Sequence, residues 1–276
     1  MPAIVPGMTD SIELTGIYIY PVKSLRGIRL EEARIEHGRL VGDRTWLLVD
    51  RDGWFMHMRD YPRMARIETR LTPTGISVST DGMPPLSIDQ PQDGLDRERV
   101  VHVQLWRRAA PTIPVSAAAD AWFSRALGMP CHLMAFVPGA AALNVPDYEV
   151  NASLQDATPF HLTTEESLAD LNGRMATPIP INRFRPNLVV RGAPPYAEDA
   201  WRTITVGDTM LRWIKPCMRC VATTTDHVTG ERANQEPLRT LARYRRVGNE
   251  VSFGHYLVAD RWGDRLRVGD RVTVVA

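Results

Sequence analysis

The densest chemistry in the 276-residue chain is the run Lys215-Pro216-Cys217-Met218-Arg219-Cys220, two thiols three positions apart with cations among them. Three chemistries fit such a pair. A structural zinc site needs four ligands, and Cys131 with scattered histidines offers no second paired half. A thioredoxin-like redox pair opens a helix, whose N-terminus lowers the thiol pKa. Here Cys220 leads instead into Val221-Ala222-Thr223-Thr224-Thr225, a β-branched run that predicts strand. The third chemistry is a single thiolate ligand for a soft or redox-active metal, with Lys215 and Arg219 favouring the ionised thiol. A lone Cys-x-x-Cys is equally compatible with no chemistry at all.

Two other runs carry charge in a usable pattern. In Asn182-Arg183-Phe184-Arg185-Pro186-Asn187 two arginines flank an aromatic, and Pro186 predicts an extended backbone at Arg185. Such a segment presents a guanidinium to a phosphate or carboxylate, or is merely an exposed loop. Tyr20-Pro21-Val22-Lys23-Ser24 ends a strand with an ammonium and a hydroxyl, suited to an anion or to closing a turn. Of 33 basic residues only Lys23 and Lys215 are lysine, and both fall inside these runs. The chain has no phosphate-loop pattern, no Gly-x-Gly-x-x-Gly, no nucleophile elbow and no His-Glu-x-x-His. Its 7 histidines follow no ligand spacing and read as structural or surface groups.

The elements that must position these residues are mostly strands. Gly16 to Tyr20 is β-branched and aromatic, and Thr45 to Val49 is a continuous apolar run. Asp52-Gly53 and Asp81-Gly82 are hairpin-type turns, as are Gly207-Asp208 within Thr203 to Trp213 and Gly269-Asp270 within Leu266 to Val274. Leu188-Val189-Val190 is a further strand. Helices are expected at Ala117 to Leu127, stopped by Gly128, and after Thr163, whose capping box runs to Glu166 with Leu168, Leu171 and Met175 on one face. Pro237 heads a short helix over Leu238 to Leu241, and Pro138 to Pro159 reads as irregular. The sum is a mainly β (α+β) protein of two β-rich units, 12–137 and 138–276, without the alternation of a doubly wound nucleotide fold.

Composition narrows the function classes. With 44% hydrophobic and 24% charged residues the chain is an ordinary globular one. A net charge of +1 argues against a nucleic-acid binder working through a large basic face. No apolar run is long enough to cross a bilayer, and Met1 to Asp10 has no basic-then-apolar leader pattern. Three cysteines suit a reducing compartment. The expectation is a cytoplasmic monomer that binds neither membrane nor nucleic acid.

Taken in order along the chain, the runs resemble the MOSC family, named for the C-terminal domain of molybdenum cofactor sulfurase. The resemblance is closest to the branch with an N-terminal MOSC-associated β-barrel domain, which contains the amidoxime-reducing components. It is carried by Tyr20 to Ser24, Gly42 to Trp46, Thr158-Pro159-Phe160, Ser167 to Asn172, Arg183 to Asn187, Tyr196 to Trp201, Cys217 to Cys220 and Phe253 to Tyr256. Two positions depart from the animal enzymes: Met218 and Thr158 stand where those have serine.

The resemblance implies an N-terminal β-barrel-like domain followed by a MOSC β-barrel that binds molybdenum cofactor. It places the catalytic thiolate ligand of molybdenum on Cys220. Contacts to the pterin and its phosphate fall on Lys23, Ser24, Arg44, Thr158, Arg185, Asn187, Arg219 and Tyr256. The implied activity is reduction of small N-hydroxylated compounds: amidoximes, hydroxylamines or N-hydroxylated bases. Some bacterial relatives add a plant-type ferredoxin domain, and this chain shows no such cysteine run. Electrons are therefore expected from a separate ferredoxin-, flavodoxin- or cytochrome b5-like protein. Alternatives are a sulfur-carrier or cofactor-carrier module without turnover and, behind it, pyridoxal phosphate chemistry on Lys23.

Overall fold

The computed structural model describes residues 11–91, 97–137 and 153–276. The leader reading of Met1 to Asp10, and residues 138–152 of the irregular stretch, lie outside the described residues. Seven strands close a barrel. Around its wall run Ile12–Ile19, Leu188–Arg191, Phe160–Thr164, Glu250–Arg261, Thr209–Met218, Thr203–Val206 and Arg271–Val274, and the last pairs back onto the first. Alternate residues of these strands point inward, so Leu14, Ile17, Phe160, Leu162, Leu188, Val190, Ile204, Leu257 and Val272 form one core. Closure also removes the exposed edges that an open sheet would leave. The strand Ile12–Ile19, from the start of the chain, is built into a wall otherwise made by the second half.

A second β unit stands beside the barrel. A four-stranded sheet runs in the order Trp46–Val49, His132–Phe136, Arg108–Pro114, Val101–Leu105, and a three-stranded sheet contains Glu68–Thr72, Gly75–Ser79 and Leu86–Asp89. Trp46, Leu48, Leu133, Ile76, Val78 and Ile88 from both sheets share a core with Phe123 of the helix Ala117–Leu127. On the opposite face, Leu47 and Val49 pack with Val103, Leu105 and Phe136. Burial on both faces is why Trp46–Val49 is apolar at every position. The fold class expected from sequence, mainly β with a few helices, is the one observed.

Three local expectations are corrected. Leu266 to Val274 is not a hairpin: Arg265–Arg267 pairs with Glu32–Glu36, while Arg271–Val274 enters the barrel. Each half finds a longer partner than the other could offer. The helix Glu165–Gly173 is capped by Thr164, whose hydroxyl accepts from the Ser167 amide at 3.1 Å: the barrel strand runs through Thr163 to Thr164, so the helix starts one residue later than expected. Val221–Thr224 is a 3-10 turn, not a strand. The Thr223 and Thr224 hydroxyls donate to the carbonyls of Cys220 and Val221, three residues back, and hold the turn closed.

The two units meet where the barrel strand Ile12–Ile19 runs on into Tyr20. Arg44 donates its amide to the Tyr20 carbonyl, Trp46 to Pro21, and Lys23 to Trp46, so 20–23 lies alongside 44–46. Among the described residues no helix is long and apolar enough to cross a membrane.

Barrel closure has a weak point at Gly254, in the left-handed region with φ +74°. A Cβ there would sit 2.5 Å from the Leu162 carbonyl oxygen on the neighbouring strand. Gly254→Ala should therefore cost about 2–3 kcal/mol. Urea unfolding at constant m-value measures it, and an unchanged midpoint would show that the wall yields at this point.

Candidate functional site

Phe160, Leu162 and Leu257 point into the barrel, so His161 and Tyr256 between them point out of it. These two are register partners with ring centroids 5.6 Å apart. Over them lies a crevice with an enclosed volume of about 130 Å³, roofed by residues from the second unit. Among the described residues five guanidiniums line it, from Arg44, Arg59, Arg183, Arg185 and Arg219, against one carboxylate, that of Asp156. A cavity so charged selects anions.

Three elements bring those cations together. Arg44 follows the Gly42-Asp43 turn; Arg185 ends the 3-10 helix Ile181–Phe184; Arg219 follows the barrel strand Thr209–Met218. Arg44 and Arg185 both stack on Tyr20, their guanidinium carbons 4.3 and 4.1 Å from its ring centroid. The Tyr20 hydroxyl donates to the Pro186 carbonyl at 3.0 Å, and its amide to Asp43 at 2.9 Å, which pins the ring. Asp43 also accepts two bonds from Arg44. Burial opposes the Arg44 charge, but Asp43, Tyr20 and Asp156 together outweigh it and move the guanidinium pKa up. For Arg185 burial dominates, with Arg44 adding to it and Tyr20 opposing, and the pKa falls to about 10. Both remain cations at neutral pH.

Backbone strain concentrates here. Among the described residues six non-glycine residues have positive φ: Arg44 and Arg185 line the crevice, Trp106 bonds its Asp156, and Ser24 follows Lys23, which bonds the same carboxylate. The extended backbone expected at Arg185 is thus corrected: φ is +57°. Such conformations cost about 1–3 kcal/mol each and persist where surrounding contacts over-determine them. Arg185 is held by its amide bond to the Asn182 carbonyl and by its guanidinium donating to Leu25 at 2.6 Å.

The two thiols are not equivalent. Cys217 is inside the strand, buried, with the Arg219 guanidinium 2.6 Å from its sulfur. Burial pushes the Cys217 thiol up, against the pull of Arg219 and Tyr256. Cys220 lies past the strand end, part-exposed on the crevice wall. Arg219 also donates to the Phe184 carbonyl at 2.7 Å, while its Nε is buried with no partner among the described residues. His161 faces the Arg185 carbonyl with Nδ1 at 3.3 Å and the Arg219 guanidinium with Nε2. A carbonyl only accepts and a guanidinium only donates, so the proton is on Nδ1. Burial, reinforced by Arg219, drives the His161 pKa well down, and the ring is neutral.

Arg44, Thr158, Arg185, Asn187, Arg219, Cys220 and Tyr256 therefore converge on one crevice. Lys23 reaches it indirectly: its ammonium donates to the Leu154 carbonyl at 2.9 Å and to Asp156 at 2.6 Å. Ser24 does not line it, and neither does Lys215, which is exposed. The Asn187 amide is already engaged, donating to Tyr18 and accepting from the His161 amide. Sequence reading overlooked Asp156, Arg59 and His161. For His161 a signal existed, since an apolar residue on either side in a barrel strand places the middle one outside. Arg183 holds the turn after Cys220 through the carbonyls of Thr223 and Thr224 at 2.9 and 2.8 Å. The runs at Tyr196 to Trp201 and His255 brace the wall. Glu198 is buried under the hydroxyls of Ser167 and Thr164, and Asp199 accepts from Arg245 and His255.

Against known proteins, the family model described as MOSC N-terminal beta barrel domain matches residues 11–130, and that described as MOSC domain matches 149–273. The human mitochondrial amidoxime-reducing component 1 is 31% identical over 93% of this chain and 81% of its own length. The bovine mitochondrial amidoxime reducing component 2 is 30% identical over 97% and 85%. A rice protein named molybdenum cofactor sulfurase is 29% identical over 95% of this chain but only 35% of its own length.

The difference between the thiols is directly measurable. At pH 8 iodoacetamide should alkylate Cys220 at least about tenfold faster than Cys217 or Cys131, both buried and both with raised thiol pKa values. Peptide mass spectrometry over a time course reads the rates, and equal labelling of Cys217 and Cys220 would contradict the geometry.

Proposed function

The chain belongs to the MOSC family, with the N-terminal β-barrel domain and the MOSC domain both present, and from that premise we propose that it is a molybdenum-cofactor enzyme reducing N-hydroxylated compounds. The observation that carries the reading is the crevice itself: a part-exposed thiol, Cys220, shares a wall with five guanidiniums. The residues fit the cofactor in donor type. A soft thiolate suits molybdenum, and a cationic pocket with an unpartnered Arg219 Nε suits a phosphate. In this reading the boundary between the units lies near residues 137 and 138.

When bound, the cofactor supplies the two-electron redox chemistry that removal of oxygen from nitrogen requires. The protein's part is binding and orientation. Arg44 and Arg185, fixed on Tyr20 before any ligand binds, would hold the cofactor's phosphate. Arg219 contributes its free Nε and keeps Cys217 occupied, which leaves Cys220 as the available sulfur. Tyr256, Thr158 and Asn187 shape the crevice wall. Lys23, already bonded to Asp156, acts as the buried counter-charge of that carboxylate and not as a free amine. This leaves Schiff-base chemistry on Lys23 without an available nucleophile.

Reducing equivalents come from a separate electron-transfer protein of the ferredoxin, flavodoxin or cytochrome b5 kind. The names of the amidoxime-reducing relatives support the reaction class, and those named sulfurase support the cofactor.

Protein from a molybdenum-replete host should carry molybdenum and pterin near one equivalent each, by metal analysis and fluorescence of the oxidised pterin. Lack of both would favour a sulfur-carrier module instead. Cys220→Ser should abolish reduction of a hydroxylamine, and Cys217→Ser should retain a substantial fraction of it; equal loss would point to the pair acting together. Arg185→Lys should lower pterin content at least about threefold with little change in melting temperature, because lysine cannot reproduce the planar fork. NADH alone should give no turnover, and reduced viologen should restore it.

A further inference from the structure

A second, larger cavity of about 700 Å³ adjoins the crevice, and Asp156 lines both. Its walls come from the second β unit and are largely aromatic: Trp54, Phe55, His57, Tyr61 and Trp106. Phe55 packs edge-on against Trp106 with centroids 4.5 Å apart, and His57 stacks on Trp106 at 5.1 Å and 20°. Trp54 is 54% exposed, and its indole meets no other ring among the described residues. That is a large apolar surface left facing a cavity.

Trp106 sits where sequence rules would not put it. It occupies the two-residue turn between the strands Val101–Leu105 and Arg108–Pro114, with φ +56°. Hairpin turns of this kind take glycine or asparagine at a positive φ, and a bulky residue there is a genuine outlier. The turn is held in place by specific bonds. The Trp106 indole donates to Asp156 at 2.6 Å, and its carbonyl accepts from the Gln104 amide at 2.5 Å. Arg59, which lines the crevice, stacks on Trp106 with its guanidinium carbon 4.4 Å from the ring. Trp106 thus forms the partition between a cationic crevice and an aromatic cavity, strained into place by the carboxylate they share.

We propose that this aromatic cavity is the specificity pocket of the enzyme, seating the planar aryl or heteroaryl ring of an N-hydroxylated substrate while the N–OH end reaches past Asp156 toward Cys220. The inference rests on the reading of the crevice as the cofactor site. Flat rings match its walls by stacking and edge contacts, which a compact alkyl group cannot reproduce. Trp54 and Trp106 are the specificity-determining residues, Trp54 as the open wall and Trp106 as the partition.

Binding can be read apart from turnover. Titration calorimetry and tryptophan fluorescence with benzamidine and acetamidine, the reduced forms of the matching amidoximes, should show benzamidine binding at least about tenfold tighter. Trp54→Ala, at an exposed position and so compatible with folding, should remove most of that difference. Trp262→Ala, an exposed tryptophan outside the cavity, should keep it. In the loaded enzyme Trp54→Ala should raise KM for benzamidoxime roughly tenfold and leave kcat within about twofold, with little change for acetamidoxime. If benzamidoxime is reduced but Trp54→Ala alters neither its KM nor benzamidine affinity, the cavity assignment is overturned and the cofactor reading stands. If the aryl preference is present and lost in Trp54→Ala while the protein carries no pterin, the cavity assignment is upheld and the reductase reading fails.

Discussion

Two like charges on one aromatic ring set the terms for the rest of this structure. Bringing the guanidiniums of Arg44 and Arg185 together on Tyr20 is unfavourable unless each is held by something stronger than their repulsion. Asp43 holds one and the Leu25 carbonyl the other, while the ring offers both the negative face of its quadrupole. Tyr20 can serve because it is the direct continuation of a barrel strand and is pinned by Pro186 and Asp43. The ring is thus as rigid as the barrel wall. The same demand explains why Ile12–Ile19, first in the chain, lies in a barrel completed by its last strands. Tyr20 is thereby a fixed point held by residues distant from it in sequence, Asp43 and Pro186.

The cost is spread over the backbone. Arg44 and Arg185 are each in the left-handed region, where glycine would be comfortable and a guanidinium would be lost. Strain at these positions is the consequence of requiring a side chain where the turn favours none. Trp106 shows the same conflict on the other side of Asp156. Asp156 itself joins the two regions: Lys23, the Trp106 indole and Arg44 together hold its carboxyl well below the usual range. One ionised carboxylate then orders an ammonium, an indole and the boundary between two cavities.

How much of this the sequence displayed follows from what each feature depends on. Strands with local signals were legible, such as Leu188–Arg191 and the turn at Gly207-Asp208, because alternation and turn chemistry act over a few residues. The helix Ala117–Leu127 ended at Gly128 as its sequence implied, with the glycine left-handed at φ +72°. The C-terminal segment misled because a hairpin signature fixes a turn and not the partners on either side of it. Val221–Thr224 misled because β-propensity was outweighed by threonine hydroxyls bonding to nearby carbonyls and by Arg183 capturing the turn. Charged runs pointed toward the site through resemblance. Asp156, isolated in sequence, belongs to it only through its bonds to the distant Lys23 and Trp106, and His161 through the outward face of the barrel strand Phe160–Thr164.

That closure also decides what a Cys-x-x-Cys pair can be. In a helix the two sulfurs fall on one face and a disulfide between them is natural chemistry. Here the first cysteine is the penultimate residue of a barrel strand, and the second lies beyond the strand end at the start of a 3-10 turn. The strand's burial fixes Cys217 as a thiol under Arg219, and the turn's exposure leaves Cys220 open to the crevice. The same two residue types at the same spacing are thereby separated into a buried, occupied thiol and an accessible one. The agent of that separation is where the strand stops. It stops at Met218; the Arg219 amide still donates to the Val251 carbonyl of the neighbouring strand, while the Arg219 guanidinium bonds the Phe184 carbonyl, in the segment that also delivers Arg185. With the two bonds from Arg183 to the carbonyls of Thr223 and Thr224, this contact ties the turn that carries Cys220 to the segment that carries Arg185, so the thiol and that guanidinium are positioned together.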